Sequence, residues 1–299
     1  MPETAVPTSP ALTLALTQAS ASPIQISCIL LTWNSMRYVE SCLRSVFEDL
    51  DASGLAFELI VIDNGSSDGT LEALARMARP SLTVIPLGHN TGTTFSRNIG
   101  LRMARGEFIC ILDSDIEIQS AGTFSALLGF MRQHSDVGIL APQLRFPSGR
   151  YQKTVDVYPT LSHKLRRFLH LREMEAQEGA QALSSTAQDV DYAVSAFWLL
   201  PRGLVDRIGL LDEQIFYAPE DVDYCLRTAL AGLRVVYLPG VVATHHAQEI
   251  SRRKLLSKSF REHLKGLAYF YRKHGFVFSL RDVYARIAQA RASYASKRS

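Results

Sequence analysis

The sequence predicts an α/β fold with a mostly parallel central sheet and helices on both of its faces. Short apolar runs alternate with longer segments whose apolar residues recur at helical spacing, and turn residues separate the two kinds of segment. In such doubly wound sheets, ligands bind beyond the carboxyl ends of the strands.

The alternation is clearest in the first half of the chain. The predicted strands cover residues 24–31, 57–62, 82–85 and 107–112. The predicted helices cover residues 37–50, 71–80 and 95–104, and the turn NGSSDGT precedes the second helix. Thr32, Asn34, Asp63 and Asp113 end or follow these strands, so we expect several polar side chains at one edge of the sheet.

The second half is less regular. The stretch VGILAPQLRFPSG (137–149) predicts a strand followed by a turn, and residues 161–188 predict a helix or a mobile loop. Residues 190–200 are apolar and rich in β formers, and residues 201–213 predict a helix and its end. An acidic loop, a helix ending at Gly232, a strand over 234–239 and the pair His245–His246 follow.

The composition fits one large globular domain, because 47% of the 299 residues are hydrophobic. No apolar run reaches the ~18–20 residues that span a bilayer. The cysteines at positions 28, 42, 110 and 225 form no CxxC pair, which favours reduced core thiols and a cytoplasmic protein. Residues 1–22 contain no Lys or Arg, and we expect a disordered leader there rather than a secretory signal.

Positive charge is concentrated at the C-terminal end. Residues 251–299 contain 13 Lys and Arg against 2 Asp and Glu, a net of +11, whereas residues 1–250 carry 19 against 27, a net of −8. This basic tail also has an apolar helical stripe, formed by Leu256, Phe260, Leu264, Leu267 and Tyr271. A helix of this kind contacts an anionic membrane, packs on its own domain or forms a homodimer contact. No nucleic-acid-binding motif is present, so we expect no nucleic acid partner.

Asp113 and Asp115 directly follow an apolar strand. In extended backbone, residues i and i+2 point to the same side, so the two carboxylates form a candidate site for Mg²⁺ or Mn²⁺. A cation held by few protein ligands usually also holds phosphates, which indicates a nucleotide. A phosphotransfer enzyme with Asp113 as nucleophile is the alternative, although such a motif usually opens its domain and here three strands precede it.

Two further groups carry candidate chemistry. Glu220, Asp221 and Asp223 lie at a helix start, where acidic residues complement the helix dipole, but one of them, Asp221, is also a candidate general base. His245 and His246 follow an apolar strand and offer a third metal ligand, with a purely structural role as the alternative.

Four stretches together resemble a family 2 glycosyltransferase of the GT-A fold, over residues 24–250. They are CILLTWN (28–34), VIDNGSSDGT (61–70), SRNIGLRMARGEFICILDSD (96–115) and PEDVDYCLRTALAGLRVVYLP (219–239), followed by the two histidines. The segment GVVATHHAQEISRRKL is further similar to rhamnosyltransferase-like members that build bacterial surface polysaccharides.

The resemblance implies an inverting transfer of a sugar from a nucleoside-diphosphate sugar to a hydroxyl of a glycan or lipid-linked acceptor, with Mn²⁺ or Mg²⁺ as cofactor. The donor would be dTDP-rhamnose or a UDP-hexose. Independently of the resemblance, the polarity and position of residues 161–188 predict a mobile acceptor loop. The implied donor-site residues are Thr32 and Asn34 in the nucleotide pocket, Asp63 at the base, Arg97 near the nucleotide or diphosphate, and Asp113 at the ribose and metal. The implied metal and catalytic residues are Asp115 and His245 as metal ligands, with His246 as the fallback, Asp221 as general base, and Glu220 placing acceptor or donor.

These inferences divide the chain into a leader (1–22), a catalytic domain (23–250) and a basic tail (251–299). Within the domain, residues 23–118 would bind the nucleotide and residues 119–250 the acceptor. We expect a cytoplasmic protein, peripheral at the inner face of the cytoplasmic membrane through its tail. The rival interpretation is a catalytically silent nucleotide-sugar-binding protein, which predicts a damaged motif, and none of the major motifs is damaged.

Overall fold

The computed structural model describes residues 23–161, 186–247 and 258–297, with side chains from residue 261 onward in the last range. The predicted leader, most of the predicted acceptor loop and the start of the basic tail lie outside the described residues.

Eleven strands and eight helices make up the described chain. The strands are β1 (Ile26–Thr32), β2 (Phe57–Asp63), β3 (Leu82–Pro86), β4 (Phe108–Asp113), β5 (Ile116–Ile118), β6 (Val137–Arg145), β7 (Val155–Asp156), β8 (Gln188–Asp189), β9 (Tyr192–Ala193), β10 (Phe197–Pro201) and β11 (Arg234–His245). The helices are α1 (Val39–Ser53), α2 (Thr70–Arg76), α3 (Thr93–Met103), α4 (Thr123–Gln133), α5 (Arg202–Ile208), α6 (Glu220–Leu230), α7 (Lys258–His274) and α8 (Arg281–Ser296).

The central sheet has nine strands, eight of them in the order β3-β2-β1-β4-β10-β6-β11-β5, with β8 paired to β11. Strands β3, β2, β1 and β4 are parallel neighbours, as are β6 and β11. Strand β10 runs antiparallel between β4 and β6, and β5 and β8 pair antiparallel with β11. The predicted α/β class is confirmed, and the insertion of β10 brings the segment before it alongside the end of β4.

Helices cover both faces of the sheet because the central strands are apolar on both sides. In β1, Cys28 and Leu30 pack in the layer formed with α1, α2 and α4, whereas Ile29 packs in the layer formed with α3, α5 and α6. All four cysteines are free and buried in these layers, as the sequence predicted.

Helices α7 and α8 pack against α6. Phe270, Tyr271 and Phe276 are buried in a third apolar cluster with Val222 and Leu226 of α6. Packing on the domain, one of the three interpretations of the basic tail, therefore applies to α7.

The predicted apolar stripe divides between buried and exposed side chains. Leu267 and Tyr271 face the domain, Leu264 is 49% exposed, and Leu256 and the side chain of Phe260 lie outside the described residues. Among the residues that the structure describes, no helix is both long enough and apolar enough to cross a membrane.

Candidate active site

The polar residues predicted from separate parts of the sequence meet at the carboxyl edge of the sheet. The register pairs Thr32 with Asp63 and Leu31 with Asp113, so the ends of β1, β2 and β4 lie side by side. Strand β11 reaches the same edge from the other half of the sheet, where its antiparallel pairing with β5 places His245 opposite Ile116, the residue after Asp115. Sheet pairing thus assembles a site from residues that are far apart in sequence.

Asp113, Asp115 and His245 form one cluster. One potential ligand atom from each side chain lies within 4.8 Å of the others. The His245 Nε2 atom is 3.2 Å from Asp115 Oδ1, and the His245 Nδ1 atom is 3.0 Å from Gln152 Oε1. With Gln152 as acceptor, Nδ1 carries a proton, so Nε2 donates to Asp115 when the ring is protonated and offers its lone pair to a metal ion when the ring is neutral. Two carboxylates and an imidazole form a ligand set that fits Mn²⁺. Mg²⁺ also fits, but it would be bound mainly by the two carboxylates.

The electrostatics of this cluster favour a bound positive charge. Burial lowers the pKa of His245, but the hydrogen bond and charge of Asp115 outweigh burial, so the pKa lies above its ordinary value. Desolvation raises the pKa of Asp113, against the opposing charge of Arg97. The main causes differ, desolvation for Asp113 and the neighbouring Asp115 carboxylate for His245, but both shifts favour a proton or a cation among these closely spaced groups.

His246 lies apart from this cluster. Its Nε2 atom is 2.9 Å from Glu117 Oε2, and its ring stacks on Tyr38 with the ring centroids 5.0 Å apart. Its backbone N–H donates to the carbonyl oxygen of Asp115, at 2.9 Å. Consecutive residues at a strand end point in opposite directions, so one histidine faces the carboxylates and the other faces the loop after β1.

Arg97 is the buried link between the two halves of the site. Its Nη2 atom donates to Asp113 Oδ1 at 2.7 Å, and its Nη1 atom lies 3.3 Å from Glu220 Oε1. Nη1 also donates to Ser195 Oγ at 2.6 Å. The side chain is only 4% exposed, and its guanidinium forms ion pairs with carboxylates of the protein itself. Its predicted contact with the nucleotide or diphosphate stays a prediction.

Glu220 and Asp221 differ in burial although they are adjacent. Glu220 is buried against Arg97, and desolvation, followed by the charge of Asp221, raises the pKa of Glu220 to about 8. Asp221 is half-buried, and its Oδ1 atom accepts the backbone N–H of Val222 at 2.8 Å. Of the two carboxyl groups, Asp221 is therefore the one that solvent and a substrate reach more readily.

The predicted nucleotide residues organise two loops. Asp63 is fully buried, accepting a hydrogen bond from Thr32 Oγ1 at 2.9 Å and from the backbone N–H of Ser66 at 2.9 Å. Asn34 has a φ of 51°, in the left-handed region that Asn tolerates, and its Oδ1 atom accepts the backbone N–H of Ser67 at 2.9 Å. These bonds fix the loop after β1 against the loop after β2, while direct contacts of Thr32, Asn34 and Asp63 with a nucleotide stay predictions.

Three partners of the site had no signal in the sequence. The Gln152 side chain hydrogen-bonds and orients the His245 ring, and the Ser195 hydroxyl accepts a hydrogen bond from Arg97. Ser35 and Ser114, the residue between the two aspartates, share a 2.7 Å hydrogen bond between their hydroxyl oxygens. Isolated Ser and Gln residues in loops are common, and only the folded structure shows which of them meet the site.

The chain is similar in sequence to bacterial proteins that include named rhamnosyltransferases. The chain is 26% identical over 230 residues to rhamnosyltransferase WbbL of Escherichia coli, covering 76% of this chain and 86% of that protein. It is 28% identical over 204 residues to N-acetylglucosaminyl-diphospho-decaprenol L-rhamnosyltransferase of Mycobacterium tuberculosis, covering 63% of this chain and 66% of that protein. It spans 21% of the length of a larger relative, the uncharacterized protein y4gI of Sinorhizobium fredii, with 25% identity over 201 residues.

Solved structures show the same fold. Staphylococcus aureus TarS 1-349 in complex with UDP-GlcNAc superposes with a TM-score of 0.59 at 21% identity, covering 89% of this chain and 71% of that chain. GalNAc-T7 with UDP, GalNAc and Mn²⁺ superposes with a TM-score of 0.60 at 14% identity, covering 85% of this chain and 48% of that chain. The sequence profile described as Glycosyl transferase family 2 matches residues 27–209, which is more than half of the chain. The protein therefore belongs to glycosyl transferase family 2.

Proposed function

We propose that the protein is an inverting, metal-dependent glycosyltransferase that moves a sugar from a nucleoside-diphosphate sugar to an acceptor hydroxyl. The observation that carries this proposal is the pairing of two groups at one sheet edge. The Asp113–Asp115–His245 cluster and the Glu220–Asp221 pair are joined through the buried Arg97. Donor and acceptor chemistry need two such groups, one for the leaving diphosphate and one for the attacking hydroxyl.

Asp115 and His245, with Asp113, would hold Mn²⁺ or Mg²⁺, and the bound cation would supply positive charge to offset the charge that develops on the leaving diphosphate. On the acceptor side, Asp221 would accept the proton of the acceptor hydroxyl as its oxygen attacks the anomeric carbon from the face opposite the diphosphate. Glu220, buried against Arg97, would orient the acceptor or donor beside it.

The names of two relatives support a choice of donor and acceptor class. Both are named as rhamnosyltransferases, and one of these names specifies a diphospho-decaprenol-linked N-acetylglucosamine acceptor. We propose dTDP-rhamnose as the donor, with UDP-hexoses next, and a lipid-linked or glycan acceptor of bacterial surface polysaccharide synthesis. Peripheral contact with an anionic membrane would use the loop between α7 and α8, where Phe278 is 71% exposed and Val277 36%.

The test is a donor screen followed by two variants. The wild-type protein is incubated with dTDP-rhamnose, UDP-glucose and UDP-GlcNAc in the presence of Mn²⁺, Mg²⁺ or EDTA, and released nucleoside diphosphate is measured. We expect release from one donor, dependent on the metal. Asp221→Asn should abolish turnover while calorimetry shows nearly unchanged binding of the nucleoside diphosphate with Mn²⁺, because the base acts only on the acceptor.

Asp206→Asn is the matched control, because Asp206 is an exposed aspartate on α5. Near-normal turnover by Asp221→Asn would remove Asp221 from the base role. Tight, metal-dependent nucleotide binding without turnover of any donor or acceptor would favour the silent binding protein instead.

A further inference from the structure

The loop that leads into the acidic pair lies between two helices from opposite ends of the sequence. On one side, the N-terminal turn of α3 binds it: the Thr93 backbone N–H donates to the carbonyl oxygen of Phe216 at 2.8 Å, and Thr94 Oγ1 donates to the carbonyl oxygen of Ile215 at 2.6 Å. The same α3 carries Arg97, which contacts Glu220. The loop over residues 211–219 is thus fixed to the helix that supplies the buried arginine.

On its other side, the loop contacts α7. The Tyr269 hydroxyl donates to Asp212 Oδ2 at 2.9 Å, and Lys273 Nζ lies 2.7 Å from the same oxygen. Gly266 is buried where α7 crosses Ala218, and a Cβ at this position would overlap the carbonyl oxygen of Ala218 and lie 3.4 Å from Pro219 Cδ. The residue that directly follows this crossing is Glu220.

A buried ion-pair network joins α7 to the first turn of α6. Asp223 is only 1% exposed, and its Oδ1 atom lies 2.7 Å from both His274 Nε2 and Lys273 Nζ. Its Oδ2 atom accepts from Arg227 Nε at 2.9 Å. Asp223 is therefore the member of the acidic cluster that points away from the site and anchors the turn bearing Glu220 and Asp221.

We propose that α7 is a positioning element for the acceptor side of the active site, with Gly266 and His274 as positioning residues for Glu220 and Asp221. The proposal rests on the proposed function, because it assigns α7 a role in placing the candidate base. The profile match to the family ends at residue 209, so this support is built from chain beyond the matched segment. Apart from Arg97, which contacts both halves, the predicted donor residues lie on the opposite half of the site, so the effect of α7 should fall mainly on turnover and little on nucleotide binding.

The decisive variant is Gly266→Ala, compared with Gly129→Ala. Both glycines are helical without positive φ, but a Cβ at Gly129 meets open space. Alanine favours helix over glycine, which offsets part of the cost of the overlap at Gly266, and thermal unfolding of both variants checks that the fold is retained. A displacement of about 1 Å near reacting groups can cost on the order of 100-fold in rate. We therefore expect Gly266→Ala to lower kcat by about tenfold or more, with donor KM and UDP–Mn²⁺ affinity nearly unchanged and hydrogen exchange faster at residues 218–222.

A second pair of variants tests the ion-pair network. His274→Ala should lower kcat in the same pattern, and His274→Gln should restore most of it, because the glutamine amide can donate to Asp223 in place of Nε2. Wild-type kcat in Gly266→Ala, with exchange at residues 218–222 as in Gly129→Ala, would overturn the proposal.

The two proposals fail in distinguishable ways. If Asp221→Asn abolishes turnover and Gly266→Ala does not lower it, the base assignment stands and the role of α7 is wrong. If Gly266→Ala lowers kcat while Asp221→Asn turns over normally, α7 does not act by placing Asp221, and the positioning proposal is overturned as stated.

Discussion

Replacing Asp223 by Asn removes the charge at the centre of the network that joins α6 and α7. In the folded protein this carboxylate is buried and contacts Arg227, Lys273 and His274. Asparagine is nearly isosteric and still accepts hydrogen bonds, so the substitution isolates the charge from the packing. The loss of stability should therefore follow from the pKa of Asp223.

The magnitude can be worked from that pKa. Burial raises it, but the hydrogen bond from His274 and the charge of Arg227 outweigh burial and lower it from 3.8 to about 2. A group whose pKa is lower in the folded than in the unfolded state adds stability above the unfolded pKa, and that stability is lost as the pH falls toward the folded pKa. The charge therefore contributes roughly 2–3 kcal/mol at pH 7, and roughly half of that remains near pH 3.

Thermal unfolding of the wild-type protein, Asp223→Asn and the exposed control Asp206→Asn tests this reasoning. At pH 7, Asp223→Asn should lower Tm by about 3–5 °C, while Asp206→Asn should change it little. The difference between wild type and Asp223→Asn should shrink between pH 5 and pH 3. A Tm within one degree or so of wild type at pH 7, or a difference that grows toward acid pH, would refute the ion-pair argument.

Two further predictions concern the metal and the membrane. Asp115→Ala should weaken the Mn²⁺-dependent binding of UDP by about tenfold or more in calorimetry, because it removes one of few protein ligands; unchanged affinity would refute the ligand assignment. Phe278→Ser should reduce co-flotation with vesicles containing phosphatidylglycerol, because Phe278 is 71% exposed at the loop between α7 and α8. Equal flotation of Phe278→Ser and wild type would remove this loop as a membrane contact.

Sequence patterns were sufficient for the first four strands of the fold. Strands β1 to β4 were predicted to within two residues, since each is a short, mostly apolar run of β-forming residues next to turn or helix signals. The antiparallel position of β10 between β4 and β6 could not be predicted from local patterns, because strand order depends on contacts between distant segments. Helix α4 was not predicted, although Phe124, Leu127, Leu128 and Met131 recur at helical spacing, and the strand β5 was not predicted because three residues carry little local signal.

In the candidate site, too, local sequence predicted some features and only the folded structure shows the others. Local sequence predicted residue types that the fold brings to one edge of the sheet, but it did not distinguish neighbouring residues of the same type. His245 and His246 are distinguished by the β5–β11 register, which turns His245 toward Asp115. Asp221 and Asp223 are distinguished by the first turn of α6, which leaves Asp221 half-buried and directs the Asp223 side chain toward His274 of α7.

Arg97 links the two halves of the site electrostatically. Its two Nη atoms contact Asp113 and Glu220, which lie on different elements, and a planar guanidinium can hold both at once. Arg97→Lys keeps the charge, but a single ammonium at the end of a flexible chain cannot reproduce this fork.

We therefore expect Arg97→Lys to lose both Mn²⁺-dependent nucleotide binding and turnover, whereas Asp221→Asn loses turnover alone. Calorimetry with UDP and Mn²⁺, run beside the turnover assay, separates these two profiles. If Arg97→Lys bound the nucleotide like wild type and lost only turnover, Arg97 would serve the acidic pair alone, and the link between the two halves would have no functional role.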